Sequence, residues 1–389
     1  MSDHGTDRGF LERALDLARR GIGLTSPNPC VGALIVGQNR TMIGAGTHTY
    51  QGVKHAEVLA IEQAGENARG ATLYVNLEPC CHQGRTPACV DAILAARIAR
   101  VVACMEDPNP LASGQGLERL RAAGIAVTTG ILQPEARALN EAFAKYIRHH
   151  RPLVTLKAAM TLDGKIAPPS SESHNPTALG ASAAHAGWIT SELARAHVQE
   201  MRHQHDAILV GVGTVIADDP RLTDRTARAR RRPLLRVILD SRLRLPLESR
   251  VVQTAQDDVL VLCCFPQDEK RRELAKRGVR VEQLSPTLTG HPDFEAVVDY
   301  LGKMEMTSLM IEGGAMVNGE AMDSGIVDKV FLYYAPKILA GTASVPFALG
   351  TGFARIRDAA NVQSIRLHRF GEDFAVEGYL KDPYEDAGN

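Results

Sequence analysis

The sequence predicts an α/β protein with two domains. At 389 residues the chain is too long for a single ordinary hydrophobic core. Short apolar runs alternate with amphipathic stretches in both halves, which is the pattern of strands and helices packed in layers. The charged segment 148–152 ends in Pro152, which a helix cannot pass easily. We therefore expect one domain over residues 1–148 and a second over 153–383.

Composition favours a cytoplasmic enzyme. Hydrophobic residues make up 44% of the chain and charged residues 23%, which is typical of a globular protein. Lys and Arg number 44 against 45 Asp and Glu, so no net field attracts nucleic acid or a membrane. The first ten residues are polar and charged, unlike a signal peptide. The seven unevenly spaced cysteines indicate metal chemistry and reduced thiols.

The first domain shows alternating helices and strands, starting with an amphipathic helix that Gly21 ends. A Pro- and Asn-rich turn follows, then a buried strand with a hairpin partner. Pro87 fits the first turn of the helix predicted over 88–96. We predict helices over 10–20, 55–64, 88–96, 116–122 and 135–147, and strands over 31–36, 42–47, 71–77, 101–105 and 125–128.

Three side chains of this domain have the chemistry of a zinc site. His55, Cys80 and Cys89 suit a tetrahedral zinc whose fourth position stays open for water. Glu57 lies two residues from His55, too close to be an independent ligand but placed to exchange protons with that water. His-x-Glu followed by Pro-Cys is the signature of zinc nucleobase deaminases. Each of these residues, taken alone, is more often a core or capping residue than part of a metal site. The prediction of a zinc site depends on their combination.

The spacing between the two cysteines is unusual for that signature. Eight residues separate Cys80 from Cys89, whereas nucleobase deaminases have Cys-x-x-Cys. Within this insertion, the guanidinium of Arg85 suits a phosphate, because it pairs two oxygens at once. Cys81 and His82 are rival ligands, and either could close the zinc site as a structural one.

The second domain combines a mixed sheet with two glycine turns. Gly211-x-Gly213 and Glu312-Gly313-Gly314 each lie between a strand and a helix, where backbone N–H groups can face a phosphate. Ser191 or Thr190 caps a helix that starts near Trp188 and runs to 202. We predict a surface loop over 168–187, and strands over 153–159, 206–210, 235–240, 259–264, 307–311, 330–335 and 374–380.

The motifs of both halves, taken in order, resemble the bifunctional riboflavin-biosynthesis deaminase/reductase family. The first half carries Pro27-Asn28-Pro29-x-Val31-Gly32, Gly44-x-Gly46-x-His48, His55-Ala-Glu57, Glu78-Pro79-Cys80 to Cys89, and Asp107-Pro108-Asn109-Pro110. The second carries Lys157, Thr161-Leu-Asp163-Gly164, Trp188-Ile-Thr-Ser191, Gly211-x-Gly213-Thr214, Asp218-Asp219-Pro220 and Glu312-Gly313-Gly314. The resemblance implies a cytidine-deaminase-like α/β/α domain followed by a dihydrofolate-reductase-like α/β domain.

The resemblance also implies residue roles, a substrate and cofactors. Zinc would bind His55, Cys80 and Cys89, and Glu57 would move protons. The phosphorylated pyrimidine substrates would contact Asn28, His48, Arg85, Lys157, Arg202, Leu222, Arg225 and Glu312. NADPH would contact Met160, Trp188, Thr214, Asp218, Ser241, Gly314, Ala315 and Asn318. The two reactions would be deamination of a diaminopyrimidinone ribosyl phosphate and reduction of its ribosyl group to ribityl. We expect a homo-oligomer, either a dimer or a tetramer.

One stretch departs from the family pattern, and two other functions compete with it. The lead-in to Trp188 is longer than usual, and Ala186 stands where a substrate-binding Ser is expected. A nucleic-acid base deaminase with a C-terminal binding module would need Cys-x-x-Cys and a basic or aromatic surface, but the basic run 228–232 reads as a solvated loop. A structural zinc joined to a nucleotide-sensing domain would need a fourth protein ligand.

Overall fold

The computed structural model describes residues 4–82, 87–169 and 187–385. It divides into two compact units. The first unit contains the chain up to His150 together with Ala229–Arg232, and the second contains Arg151–Arg228 and Pro233–Glu385. Within the described ranges, every helix is too short or too polar to cross a bilayer.

The first unit is a five-stranded mixed sheet with helices packed against it. Its sheet has the order β2-β1-β3-β4-β5, in which β1 is antiparallel to both of its neighbours and β3, β4 and β5 are parallel. The strands are β1 (Gly32–Val36), β2 (Met42–Thr47), β3 (Thr72–Val75), β4 (Arg100–Ala103) and β5 (Ala126–Thr129). The helices are α1 (His4–Arg19), α2 (Ala56–Ala64), α3 (Cys89–Ala95), α4 (Gln115–Ala122) and α5 (Gln133–His149). The predicted order of elements is confirmed.

A buried ion pair fastens α1 to this sheet. The Asp7 side chain is 1% exposed and accepts two hydrogen bonds from the Arg100 guanidinium of β4, at 2.9 and 2.7 Å. The hydroxyl of Tyr74, on β3, donates to the same carboxylate at 2.8 Å. Because a buried charge is costly without partners, these bonds make the register of α1 on the sheet specific.

The second unit is a nine-stranded sheet of order β11-β10-β9-β8-β12-β6-β13-β16-β15, with a separate β14-β7 pair. Its strands are β6 (Leu153–Thr161), β7 (Lys165–Ala167), β8 (Ala207–Gly211), β9 (Leu235–Leu239), β10 (Val259–Cys263), β11 (Val279–Gln283), β12 (Ser308–Ile311), β13 (Lys329–Ala335), β14 (Val345–Pro346), β15 (Gln363–Phe370) and β16 (Asp373–Tyr379). Its helices are α6 (Glu192–Gln204), α7 (Val212–Asp218), α8 (Arg250–Gln253), α9 (Asp268–Ala275), α10 (Phe294–Lys303) and α11 (Ala315–Asp323). The strands from β11 to β13 are parallel, and β16 and β15 add an antiparallel edge.

Alternate residues of the parallel strands enter two separate hydrophobic cores. Ile208 and Val210 of β8 belong to one core, whereas Leu209 belongs to the other. A strand buried on both faces reads as a continuous apolar run, so these central strands were predictable from sequence. The helix near Trp188 begins at Glu192, and Ser191 is its cap, accepting from the Ala194 N–H at 3.4 Å.

Seven elements of the second unit were not predicted from the sequence, and three of them (β7, α8 and β14) are only two to four residues long. α9 is almost entirely charged, and β11 and β15 lie at the two edges of the sheet. α10 is amphipathic and has Asp293 as its cap, so it was missed despite a clear signal. Each edge strand pairs on one side only, and β15 is mostly exposed, so its sequence lacks a buried apolar run. The predicted loop 168–187 falls largely on residues 170–186, which lie outside the described residues.

Candidate active sites

The first unit brings the three predicted zinc ligands together from three elements. His55 is the residue before α2, Cys89 is the first residue of α3, and Cys80 follows β3. The His55 Nδ1 atom lies 3.1 Å from Cys89 Sγ and 3.5 Å from Cys80 Sγ, and the three ligand atoms lie within 4.8 Å of one another. Zinc–ligand bonds of about 2.0–2.3 Å place tetrahedral ligand atoms roughly 3.6–3.8 Å apart. The cluster therefore has the size and the donor set for one zinc ion.

Hydrogen bonding favours the thiolate form of one of the two sulfurs, Cys80. The Cys89 thiol donates to Cys80, and this bond is the main reason that the pKa of Cys80 falls to about 4. The backbone N–H of Cys89, at the start of α3, also donates to Cys80 Sγ at 3.3 Å. The pKa of Cys89 is raised because its proton is held by Cys80 and its surroundings are buried. A bound cation would release that proton, as cysteine ligands require.

The two rival ligands lie outside this cluster. Cys81 Sγ faces Gln115 Oε1 at 3.9 Å, and His82 is exposed. Among the described residues, the group that could hold a metal consists of His55, Cys80 and Cys89. Three protein ligands leave a fourth position for water or substrate, which is the arrangement of a catalytic zinc site.

Glu57 lies in the first turn of α2, next to the ligands. Its side chain is 3% exposed, and burial raises its pKa above the usual range. A carboxyl group whose pKa moves toward neutrality can both accept and donate a proton during a reaction. Its position and environment suit the predicted proton transfer.

Asn28 and His48 lie beside the same ligands. The Asn28 side-chain amide contacts His48 Nε2 at 3.1 Å, and His48 Nδ1 contacts the carbonyl of Lys54 at 3.1 Å. Since a carbonyl only accepts, Nδ1 carries the proton and Nε2 accepts from the amide. The His48 and His55 rings meet edge to face with centroids 5.4 Å apart. Arg85 lies outside the described residues.

Glu78 holds the strand end that carries Cys80, a role that the sequence did not suggest. Its buried carboxylate accepts from four backbone N–H groups, those of Asp107 (2.9 Å), Gly114 (2.9 Å), Gly116 (2.8 Å) and Leu117 (3.2 Å). Since α4 begins after a glycine with no side chain, Glu78 is its cap. Gly114 precedes α4 and has no side chain to cap it, so the sequence did indicate that a distant side chain must cap this helix.

Close packing of α2 on β2 fixes the positions of His55 and Glu57. A Cβ atom on Gly46 would lie 2.1 Å from the Ala56 carbonyl oxygen and 2.9 Å from the Leu59 Cβ. Ala56 separates His55 from Glu57 in the sequence. Any side chain at position 46 therefore pushes the first turn of α2 away from the sheet.

We expect Gly46→Ala to lower both zinc content and deaminase activity, the latter by roughly a hundredfold, because small misplacements of reacting groups are costly. Metal analysis and ammonia release measure the two effects. Gly9→Ala is the matched control, since a Cβ there meets nothing within 4 Å. Full zinc content and activity in Gly46→Ala would contradict this account of the α2 position.

The second unit joins three predicted substrate contacts in one ion cluster. The Glu312 carboxylate accepts from Arg202 Nε at 2.8 Å and Nη2 at 3.1 Å, and Lys157 Nζ lies 3.5 Å away. All three side chains are largely buried. Burial alone would raise the pKa of Glu312, but the two cations lower it to about 2. The cluster carries one net positive charge beside the sheet.

The segment containing Leu222 and Arg225 is fastened next to this cluster. Arg202 Nη1 donates to the Thr223 carbonyl at 3.0 Å, and the Arg225 N–H donates to Gln199 Oε1 at 3.1 Å. Leu222 is buried and has a left-handed backbone with φ 56°. The predicted contacts Arg202, Leu222 and Arg225 are therefore neighbours.

Two glycine turns of the second unit meet at one side chain, Val317 of α11. A Cβ on Gly313 would lie 2.5 Å from Val317 Cγ1, and one on Gly211 would lie 2.8 Å from Val317 Cγ2. Thr214 Oγ1 lies 3.8 Å from the corresponding position of Gly314. The starts of α7 and α11 therefore lie side by side, and Val317 packs against the backbone of Gly211 and Gly313.

Asn318 of α11 points a buried acceptor toward this glycine turn. Its Nδ2 donates to the Phe347 carbonyl at 2.8 Å. Its Oδ1 is buried with no hydrogen-bond partner among the described residues, and it lies 3.1 Å from where a Gly313 Cβ would stand. Orphaned buried oxygens are rare, and one beside two helix starts suits a ligand with phosphates and hydrogen-bond donors. The residues fit a dinucleotide such as NADPH.

The other predicted cofactor contacts lie on several elements of the second unit. Met160 lies near the end of β6, Ser241 follows β9, and Asp218 ends α7, where burial raises its pKa. Trp188 is exposed before α6, with the Arg195 guanidinium 4.8 Å from its ring centroid. The carboxyl ends of adjacent parallel strands are where such sheets bind ligands.

Comparison with known proteins identifies both units. Residues 5–105 match the cytidine and deoxycytidylate deaminase zinc-binding region, and residues 152–376 match the RibD C-terminal domain. The riboflavin biosynthesis protein RibD of Actinobacillus pleuropneumoniae is 40% identical over 379 residues, which cover 97% of this chain and 96% of that protein.

Two solved structures agree over nearly the whole length. One, Acinetobacter baumannii RibD, has a TM-score of 0.80 at 34% identity, covering 97% of this chain and 99% of that chain. The other is a Thermotoga maritima diaminohydroxyphosphoribosylaminopyrimidine deaminase/5-amino-6-(5-phosphoribosylamino)uracil reductase. It has a TM-score of 0.79 at 34% identity, with the same coverage.

Proposed function

The chain belongs to the RibD family of bifunctional riboflavin-biosynthesis deaminase/reductases, and from that premise we propose its substrates and the residues that act on them. The first unit deaminates 2,5-diamino-6-ribosylamino-4(3H)-pyrimidinone 5′-phosphate. The second unit reduces the ribosyl group of the product to ribityl with NADPH. The observation that supports this most strongly is the convergence of His55, Cys80, Cys89 and Glu57 from three separate elements.

In the deaminase, the imidazole of His55 and the sulfurs of Cys80 and Cys89 would hold a zinc ion, which would supply Lewis-acid activation of a water molecule. Glu57 would accept one proton from the attacking water and deliver it to the ring nitrogen. It would then accept the remaining proton of the new hydroxyl group and deliver it to the departing amine. Ammonia leaves and a ring carbonyl remains. Asn28 and His48 orient the pyrimidine, and Arg85 binds its phosphate.

In the reductase, NADPH supplies the hydride that opens the sugar ring. The glycine turns before α7 and α11, with Thr214 and Asn318, hold the cofactor phosphates and their neighbouring groups. Lys157 and Arg202, held in place by Glu312, orient the phosphorylated substrate beside the cofactor. The net positive charge of this cluster favours an anionic substrate.

The test uses purified full-length protein and the diaminopyrimidinone phosphate. Without NADPH we expect ammonia release, and treatment with a zinc chelator abolishes it until zinc is restored. The same chelator leaves NADPH oxidation with the deaminated substrate unchanged, because the second unit's site contains no zinc ligand in this account. Failure of zinc-loaded protein to release ammonia would overturn the proposed first reaction.

We also propose a cytoplasmic homo-oligomer. All seven cysteines are free thiols, as a reducing compartment favours. The edge strand β15 exposes Ile365 (58%) and Leu367 (73%) on the second unit. Apolar side chains on an edge strand are suited to covering by a second copy. We expect sedimentation velocity to give at least twice the 42.0 kDa of one chain; a monomer at micromolar concentration would contradict the proposal.

A further inference from the structure

We propose that Asn140 of α5 is a positioning residue of the deaminase, which holds the loop that carries Asn28. The inference rests on the proposed function, in which Asn28 contacts the pyrimidine. Asn140 lies outside residues 5–105, which match the zinc-binding region. The proposal therefore adds α5 to the elements that position the deaminase site.

The Asn140 side chain binds both the backbone N–H and the backbone carbonyl of Cys30, which is distant in sequence. The Cys30 N–H donates to Asn140 Oδ1 at 2.8 Å, and Asn140 Nδ2 donates to the Cys30 carbonyl at 3.1 Å. This pairing fixes the orientation of the amide, because an N–H can meet only the oxygen and a carbonyl only the nitrogen. Asn140 is 2% exposed and Cys30 is half-buried, so the two bonds are partly shielded from water.

A second buried side-chain amide, that of Asn76, binds the same segment. We call Asn76 and Asn140 together the amide clamp. Asn76 Nδ2 donates to the same Cys30 carbonyl at 2.9 Å, and Asn76 Oδ1 accepts from the Gly32 N–H at 2.8 Å. The start of β1 is therefore fixed by side chains, whereas the rest of β1 is fixed by neighbouring strands. Asn76 and Asn140 act on it from the sheet and from α5.

The backbone of α5 is distorted where it presents this side chain. Asn140 has φ −111° and ψ 17°, outside helical values, in an otherwise helical span of 17 residues. Asparagine is a weak helix former because its amide competes for backbone groups. A distorted backbone and an unfavourable residue at one buried position indicate that the side-chain contact determines the choice of residue.

The residue that the amide clamp holds, Cys30, is close in sequence to a residue of the proposed deaminase site. Cys30 is two residues from Asn28, and the intervening Pro29 limits backbone freedom between them. Asn28 contacts His48 Nε2 at 3.1 Å, and the His48 ring meets that of the zinc ligand His55. A shift of Cys30 therefore moves Asn28 relative to the zinc site, without touching the ligands themselves.

The test is the deaminase kinetics of full-length Asn140→Ala, with Asn28→Ala and Glu135→Gln measured beside it. We expect the KM of Asn140→Ala for the diaminopyrimidinone phosphate to rise roughly tenfold and kcat to change by less than about threefold, since misplaced contacts weaken binding before chemistry. Zinc content and the reductase activity of the same chain stay at wild-type values. Hydrogen exchange at the Cys30 amide becomes faster. Glu135→Gln, an exposed position on the same helix, behaves as wild type.

The outcomes separate this inference from the proposed function. If Asn28→Ala raises KM and Asn140→Ala does not, Asn140 has no positioning role. If neither variant changes KM, the assignment of Asn28 to the pyrimidine is also wrong. If Asn140→Ala loses zinc or fails to fold, Asn140→Asp is measured in the same way, because it keeps the acceptor for the Cys30 N–H. Equal losses of deaminase and reductase activity in Asn140→Asp would show a merely structural residue and overturn the proposal.

Discussion

Glu57→Gln is expected to lower the deaminase kcat by at least about a thousandfold, since general acid–base catalysis typically contributes 10²–10⁴-fold and Glu57 acts in several proton transfers. Glutamine has nearly the same shape and cannot accept the proton of the attacking water. The zinc ligands are unchanged, so zinc content stays at one per chain. Ammonia release measures the activity, and metal analysis of the same sample measures zinc.

Two controls make this expectation specific. Glu62→Gln alters an exposed carboxylate on the same helix, which pairs with Lys54 at 2.7 Å, and should leave deamination unchanged. NADPH oxidation by Glu57→Gln with the deaminated substrate should equal that of the wild type. Loss of zinc from Glu57→Gln would show that Glu57 is needed to build the site, and near-normal deamination would show that another group moves the proton.

Glu312→Gln has the largest expected effect in the second unit. The change removes the carboxylate that pairs the two buried cations Lys157 and Arg202. Removing one partner of a buried ion pair typically costs about 3–5 kcal/mol, so we expect a loss of that size in the unfolding free energy of the second unit. We also expect reductase kcat/KM to fall by roughly a hundredfold, because the two cations lose their fixed orientation. Deaminase activity is the internal control.

The stability difference depends on pH in a defined direction. The pKa of Glu312 falls from 4.5 to about 2 in the folded protein, so its carboxylate stabilises the fold above pH 4.5. This stabilisation is lost as the pH falls through about 2, where the carboxylate becomes protonated. The difference between wild type and Glu312→Gln should therefore be largest near neutral pH and shrink in acid. Urea unfolding at several pH values measures it, and Glu295→Gln, which breaks an exposed pair with Arg151, is the control.

The cluster of metal-ligand side chains in the first unit was predictable because its residues lie at or near element boundaries. His55 and Cys89 stand at the starts of helices and Cys80 in the segment that follows a strand, and boundaries of that kind are visible in the sequence. Their convergence followed from the general rule that such ends collect at one edge of a sheet. The roles of the individual side chains in both sites remain predictions that the variants above test.

The contacts that hold the sites in place were not predictable in the same way. Glu78 caps α4 across 36 to 39 residues of sequence, and Asn140 reaches Cys30 across 110. Single-sequence patterns report local periodicity, whereas these contacts depend on how distant segments meet in three dimensions. The ion cluster of Lys157, Arg202 and Glu312 likewise depends on how β6, α6 and the end of β12 meet in the folded second unit.

The central claim is that one chain performs two reactions in a fixed order. The most direct measurement follows ammonia and NADPH together, after the full-length zinc-loaded protein is mixed with the diaminopyrimidinone phosphate and NADPH. We expect ammonia to appear first, NADPH oxidation to follow, and the two final amounts to be equal, with Glu57→Gln abolishing both. NADPH oxidation that proceeds without ammonia release, or ammonia release with no subsequent oxidation, would contradict the account.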